Sequence, residues 1–238
     1  MHKLIFFLAV SSLIAAAPNA GAQSLDQVLQ RHFDASGQER LSGIRSVRSS
    51  GRAVQMGNEL PFLQIQKRPG MLYLELDIQG NKMIQAFDGR EGWAVEPWSG
   101  PDPRRLEGPE LNGLKQMARI DSDLVDWQKK GYDLELTGSD SSDGEEYFVL
   151  ELKKEKGEVY NFFIDSGSYL LHKIVATSGQ KGNQVSGETI LGDYRAIEGI
   201  KVPFKIEMKY GGQTLMTNII EKVEFDVVIG EDYFTSPF

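Results

Sequence analysis

Apolar residues recur with two different periods along this chain, and the change from one to the other falls after Ile44. Before it, Leu25, Val28, Leu29 and Phe33 lie three and four residues apart, the spacing that draws one apolar stripe along a helix. Ser24 with Gln27 three residues on makes a capping box, and Gly37 supplies a C-terminal stop, so a helix is predicted over residues 24–36. His32 sits on the edge of the stripe, where a lone histidine is more often a packing residue than a ligand.

After Ile44 the period is two. Strands are predicted over residues 46–55, 62–68, 72–78, 82–88 and 92–96. The clearest is the third, where Leu72, Leu74, Leu76 and Ile78 alternate with Tyr73, Glu75 and Asp77. Residues 101–131 break the pattern, opening with Pro101 and Pro103. Leu111, Leu114 and Met117, then Leu124, Val125 and Trp127, are spaced for two short helices over 109–119 and 122–130. Strands resume over 132–136, 146–153, 158–165, 170–177, 186–196, 200–210 and 213–225. The stretch GSDSSDG, residues 138–144, reads as a solvated hairpin tip; its carboxylates sit at the wrong offsets for a calcium loop. Short, glycine-bearing links make successive strands antiparallel neighbours.

About a dozen strands is too many for a sheet that stays flat and open. It curls or it splits. Curling at this width leaves more interior than the wall side chains fill, so helices, a ligand or both must occupy it. A two-sheet sandwich is the alternative.

Composition then adds a compartment. Met1-His2-Lys3 is a short basic start, Leu4 to Ala17 is apolar, and Ala20-Gly21-Ala22 is a small-x-small cleavage site. Residues 1–22 therefore read as a secretory signal peptide, too short for a membrane span. Cleavage after Ala22 leaves 238 − 22 = 216 residues, read as one domain over 23–238 with a helical insert at about 101–131. There is no cysteine, which excludes disulfides, thiolate catalysis and a lipid-modified N-terminal cysteine. A secreted chain of this kind fits the periplasm of a bacterial envelope. The formal charge of −8 becomes −9 without Lys3, which argues against nucleic acid as a partner.

Two segments carry a resemblance. QIQKRPGMLYLEL, residues 64–76, is followed by AFDGREGWAVEPWSG, residues 86–100. Lys-Arg-Pro, an alternating strand, Asp-Gly, then tryptophan and proline before a helical insert resembles the LolA-type periplasmic lipoprotein carriers and the wider group of outer membrane lipoprotein-sorting proteins. The motif-level match covers about residues 64–103, and the order of elements matches over most of the mature chain. The resemblance implies a mainly β, α+β fold: an unclosed antiparallel half-barrel of about 11–12 strands with an N-terminal helix and a helical lid. It implies a carrier that shields the acyl chains of lipoproteins, or another lipid, between an inner-membrane donor and an outer-membrane acceptor; a monomer is the simple expectation for a one-to-one carrier. It implies no catalysis and no cofactor. It also implies that Arg68, the arginine of the Lys-Arg-Pro motif, bonds the lid and helps set its open or closed state.

The apolar faces name the candidate cavity wall: Leu72, Leu74, Leu76, Phe148, Leu150, Phe162, Ile164, Phe204 and Ile206. The insert offers Leu111, Leu114, Met117, Ile120 and Trp127 as lid contacts, and Trp93 and Trp98 are expected at the rim or in the core. One feature resists this picture. Strict alternation puts Gln64 and Gln66 on the face of Arg68, which is polar for a fatty channel and costly if the amides are unpaired.

Two other functions are open at this point. A sensor of envelope lipids or lipoproteins on the same fold has the same sequence features. An enzyme needs a nucleophile, base and orienting acid. No G-x-S-x-G elbow is present, and the two mature histidines, His32 and His172, are too few for a histidine metal site.

Overall fold

The computed structural model describes residues 23–142, 144–154, 157–178, 185–236 and 238; the signal peptide read from residues 1–22 lies outside them. The chain opens with α1 (Leu25–Ser36) and a six-residue α2 (Gln38–Gly43). The capping box is made: Ser24 Oγ accepts from the Gln27 N–H at 3.3 Å, and Gln27 Oε1 from the Ser24 N–H at 3.0 Å. Gly37 ends α1 in the left-handed region at φ 77 and starts α2 at the same residue. A Cβ there would stand 2.3 Å from the Gly199 carbonyl oxygen, so the corner between the helices seats directly on backbone.

Six strands follow: β1 (Ser46–Gln55), β2 (Asn58–Lys67), β3 (Met71–Ile78), β4 (Asn81–Phe87), β5 (Gly92–Val95) and β6 (Arg104–Leu106). Then come α3 (Gly108–Met117) and seven more strands: β7 (Asp133–Ser142), β8 (Glu145–Lys153), β9 (Val159–Asp165), β10 (Leu171–Ser178), β11 (Val185–Ile197), β12 (Ile200–Tyr210) and β13 (Gln213–Phe225). All 13 lie in one unclosed antiparallel sheet, ordered β6-β5-β4-β3-β2-β1-β13-β12-β11-β10-β9-β8-β7. The chain steps outward from β1 to β6 and inward from β7 to β13, which pairs with β1. The segment between β6 and β7 must therefore run from one edge of the sheet to the other. That crossing is the lid.

Register shifts at Ser50/Gly51, Leu136/Gly138, Leu171/Lys173 and Met208/Lys209 bend the strands and help the sheet curl. Four apolar clusters fill against it. Val28 and Leu29 of α1 pack with Leu124, Leu134, Leu150, Leu152, Phe162 and Ile164, so α1 fills the trough over β7–β9. Leu111, Leu114 and Ala118 pack on Leu72, Phe87, Ala94 and Leu106, so α3 covers β3–β6. Gly92 permits the close approach, because a Cβ there would meet Leu111 Cδ1 at 2.9 Å. Ile44, Val47, Ile200, Phe204, Ile220 and Val223 join the halves at the middle. On the opposite face of β3, Ile229, Tyr233 and Phe234 of the C-terminal segment pack on Ile65, Tyr73, Ala86 and Trp93.

The structure corrects several element predictions. The described residues hold 13 strands, one more than the twelve predicted stretches, because Arg104–Leu106 is too short to show a period. β2 begins at Asn58 rather than at residue 62. β7 runs through Ser142, into the stretch predicted as a turn. Residues 122–130 are not a helix but a run of turns, broken by Asp126 at φ 52.

Candidate functional site

A cavity of about 570 Å³ opens between the helices, the lid and strands β9–β12. Its apolar wall comes from Phe162 on β9, Ile174 and Ala176 on β10, Leu191 on β11 and Ile200 and Pro203 on β12. Leu41 of α2 and Ile120 of the lid add to it. One rim is polar: Gln116, Arg119, Asp121, Ser122 and Asp123 from the lid, with His32 and Gln38 from the helices. Buried His32 donates from Nδ1 to the Tyr169 carbonyl at 2.8 Å, and burial holds its imidazole below its ordinary pKa. It is therefore neutral at pH 7 and braces α1 on the β9–β10 turn. The cavity falls within the usual size of a small-molecule site, about 300–1,000 Å³.

The lid is fastened over this cavity by hydrogen bonds from three elements. Arg68, at the end of β2 and before a cis Pro69, donates from Nε to the Ile44 carbonyl at 2.7 Å and from Nη2 to the Leu41 carbonyl at 3.3 Å. These carbonyls lie at the C-terminal end of α2, where the Leu41 oxygen also accepts from the Ile44 N–H at 3.1 Å. The same guanidinium is paired through both Nη atoms with Asp121 of the lid, with Nη2 at 2.8 Å from Oδ1. Gln38 also donates to Asp121, at 3.2 Å. Bonding from Arg68 outweighs partial burial and holds the Asp121 carboxyl below its usual range. Arg68 thus joins β2, the end of α2 and the lid through one side chain.

Gln66 resolves the polar-wall problem. Its Nε2 donates to the Met117 and Arg119 carbonyls, at 2.7 and 3.0 Å, and so caps the end of α3. Further along, Lys154 donates to Asp123 at 2.6 Å with its Nζ 4.0 Å from the Tyr160 ring centroid. Arg119 donates to the same carboxylate at 2.7 Å. Lys130 donates to the Ser122 carbonyl at 3.1 Å, and burial pulls its ammonium below its ordinary pKa.

The candidate residues divide among these regions. Ile120 and Phe162 line the cavity, and Arg68 lies behind the lid that borders it. Phe204 and Ile206 pack in the middle cluster, and Ile120 also touches it. Leu150 and Ile164 are fully buried under α1, with Trp127 and Phe148 packed beside them, so α1 occupies the wall they were expected to offer to a ligand. Leu72, Leu111 and Leu114 hold α3 on β3–β6. Leu74 and Leu76 are half-buried further along the Leu72 face of β3. Met117 is 41 % exposed.

The tryptophans separate. Trp93 is buried against the C-terminal segment, on the face of the sheet away from α3. Its Nε1 has no hydrogen-bond partner among the described residues. Trp98 is 66 % exposed in the loop between β5 and β6, below which Arg104 clamps Glu96 and Glu110. The sequence reading missed α2, Gln38, Asp121 and the β10–β11 wall of Ile174, Ala176 and Leu191. Period-two apolar positions in residues 170–177 and 186–196 were the available signal for that wall.

No family model matches the sequence, and no curated protein does. Solved structures do. A LolA superfamily protein from Nitrosomonas europaea superposes with a TM-score of 0.61 at 17 % identity, over 90 % of this chain and 99 % of its own. A DUF1329 family protein from Desulfovibrio piger gives 0.62 at 16 %, over 87 % and 97 %. An outer membrane lipoprotein-sorting protein domain from Vibrio parahaemolyticus gives 0.57 at 10 %, over 86 % and 96 %. At these identities the likeness is one of fold, and the fold of this chain is LolA-like.

Proposed function

We propose that the protein is a periplasmic carrier that holds the acyl part of a lipid or lipoprotein in the cavity and moves it toward the outer membrane. The observation that carries this reading is the cavity itself: an apolar wall on β9–β12, bordered by a lid that Arg68, Gln66 and Lys154 fasten to the sheet. Each methylene moved from water into such a wall contributes about 0.8 kcal/mol, so an acyl chain gains affinity without any charged recognition. Release requires the lid to move, and Arg68 sits where the lid, α2 and β2 meet. The likeness to a lipoprotein-sorting domain and to a LolA superfamily protein supports the direction of transport. The signal-like N-terminus supports the compartment. An inner-membrane donor and an outer-membrane acceptor would be its partners, and no chemistry is assigned to it.

Native mass spectrometry of the mature protein, purified from a periplasmic extract without detergent, tests the proposal. A bound lipid or acylated protein supports it. A clean apo mass, with no uptake of any offered lipid, sinks it. A stable complex with a signalling protein, formed only when lipid is bound, would replace transport by sensing.

A further inference from the structure

We propose that the cavity takes one acyl chain at a time, carried by an amphiphile with an anionic head: a free fatty acid or an anionic lysolipid. This rests on the carrier reading and narrows it. At roughly 30 Å³ for each water-sized group, a volume close to that of a methylene, 570 Å³ holds about 19 such groups. One long acyl chain fits. Among the described residues, the neighbouring parts of the trough are already filled. Toward β7–β9 the trough is filled by α1 over Leu150 and Ile164, both 0 % exposed. Toward β3–β6 it is filled by α3 over Leu72 and Leu106. A second chain would have to displace a helix rather than a side chain.

The head is assigned by charge around the lid. Asp121 is matched by Arg68, and Asp123 by both Arg119 and Lys154. Lys130 behind the lid and Lys201 on the cavity wall have no carboxylate within ion-pair distance among the described residues. Around the lid, Arg68, Arg119, Lys130, Lys154 and Lys201 meet Asp121 and Asp123, a local balance toward cations in a chain of formal charge −8; of these cations, Arg119 and Lys201 line the cavity itself. A carboxylate or phosphate head at the polar rim would be met by Lys201 and Arg119 while its chain lies on Ile174 and Leu191.

Titration of the delipidated mature protein, by calorimetry with stoichiometry from native mass spectrometry, tests this. The probes are palmitate, 1-palmitoyl lysophosphatidate, 1-palmitoylglycerol and a tripalmitoylated lipopeptide. Palmitate or lysophosphatidate binds one to one, and the stronger of the two identifies the head. Palmitoylglycerol binds more weakly, and the lipopeptide does not bind. Lys201→Gln lowers affinity for the anionic probe roughly two- to fivefold, the size of an exposed ion pair, and leaves palmitoylglycerol unchanged. Lipopeptide binding as tight as palmitate overturns the single-chain assignment and leaves the carrier reading standing. Palmitoylglycerol binding as tight as palmitate overturns the anionic head. If none of the four binds, the carrier reading itself fails.

Discussion

Replacing Arg68 by leucine removes the one side chain that joins β2, the end of α2 and the lid. It frees the Ile44 carbonyl, leaves the Leu41 carbonyl with the Ile44 N–H alone, and leaves Asp121 with only Gln38 as a side-chain partner among the described residues. Hydrogen bonds to charged groups contribute about 1.5–3 kcal/mol each, but water reaches this site, since the Arg68 and Asp121 side chains are 31 % and 26 % exposed. Water replaces part of what is lost, so the net weakening of lid closure is about 2–3 kcal/mol. At 1.4 kcal/mol per factor of ten, the lid opens roughly 30- to 150-fold more often. Hydrogen exchange reads this directly: amides of residues 118–132 and of α2 exchange faster by that factor, and a bound lipid leaves faster. The melting temperature falls by no more than about 12 °C, and by less if the lid already opens at low cost. A large fall in melting temperature with unchanged exchange across 118–132 would refute the reasoning, because Arg68 would then brace the fold without holding the lid.

Gln66→Leu uncaps α3 and costs about 1–2 kcal/mol in urea unfolding, with an unchanged slope; no loss would mean water caps the helix equally well. The pH dependence follows from Asp121, whose carboxyl is held low by Arg68. Its contribution is complete above the ordinary carboxylate range and is lost as pH falls through the lower folded value. Lid exchange therefore accelerates only in acid, and Asp121→Asn removes that acceleration; an acceleration between pH 6 and 8, about the range of histidine titration, would point to another group. Gly51→Ala costs about 3 kcal/mol or more and Gly92→Ala about 1, because the new Cβ meets the Ile219 backbone oxygen at 2.1 Å in the first and a movable Leu111 methyl at 2.9 Å in the second. Thermal melts that rank them the other way would contradict the packing. Leu150→Ala, under α1, costs about 2–5 kcal/mol by the same assay, and a neutral result would mean α1 is not seated there.

Local signals were legible and long-range ones were not. The capping box at Ser24 and the stop at Gly37 involve residues a few positions apart, and α1 forms as they predict. The alternation of Leu72, Leu74 and Leu76 gave β3 to within one residue. α2 escaped notice because Gly37 ends one helix and begins the next, leaving six residues with no room for a stripe. β7 was cut short because it is an edge strand. From Thr137 onward it is exposed, so its polar run reads like a turn. β2 extends back to Asn58 through Pro61, because β3 pairs only from Phe62 onward and requires nothing from the proline nitrogen. The helix expected over 122–130 had suitable spacing, but tertiary contacts from Leu124 and Trp127 to the α1 cluster hold it as turns. Arg68 was found through a motif; its partner Asp121 lies 53 residues away and left no mark in the sequence. The polar face of Gln66 was read correctly, and only the arrival of the α3 end explains it.

The central claim is that an acyl chain lies between the lid and strands β9–β12. A palmitate analogue with a photoreactive diazirine near its chain end, crosslinked to the mature protein and mapped by peptide mass spectrometry, tests it most directly. The account predicts labels on β9–β12, at or beside Phe162, Ile174, Ala176 and Leu191, with Ile120 of the lid as a further site. Labels confined to exposed positions such as Met56 or Val228, or spread without competition from unlabelled palmitate, would contradict it.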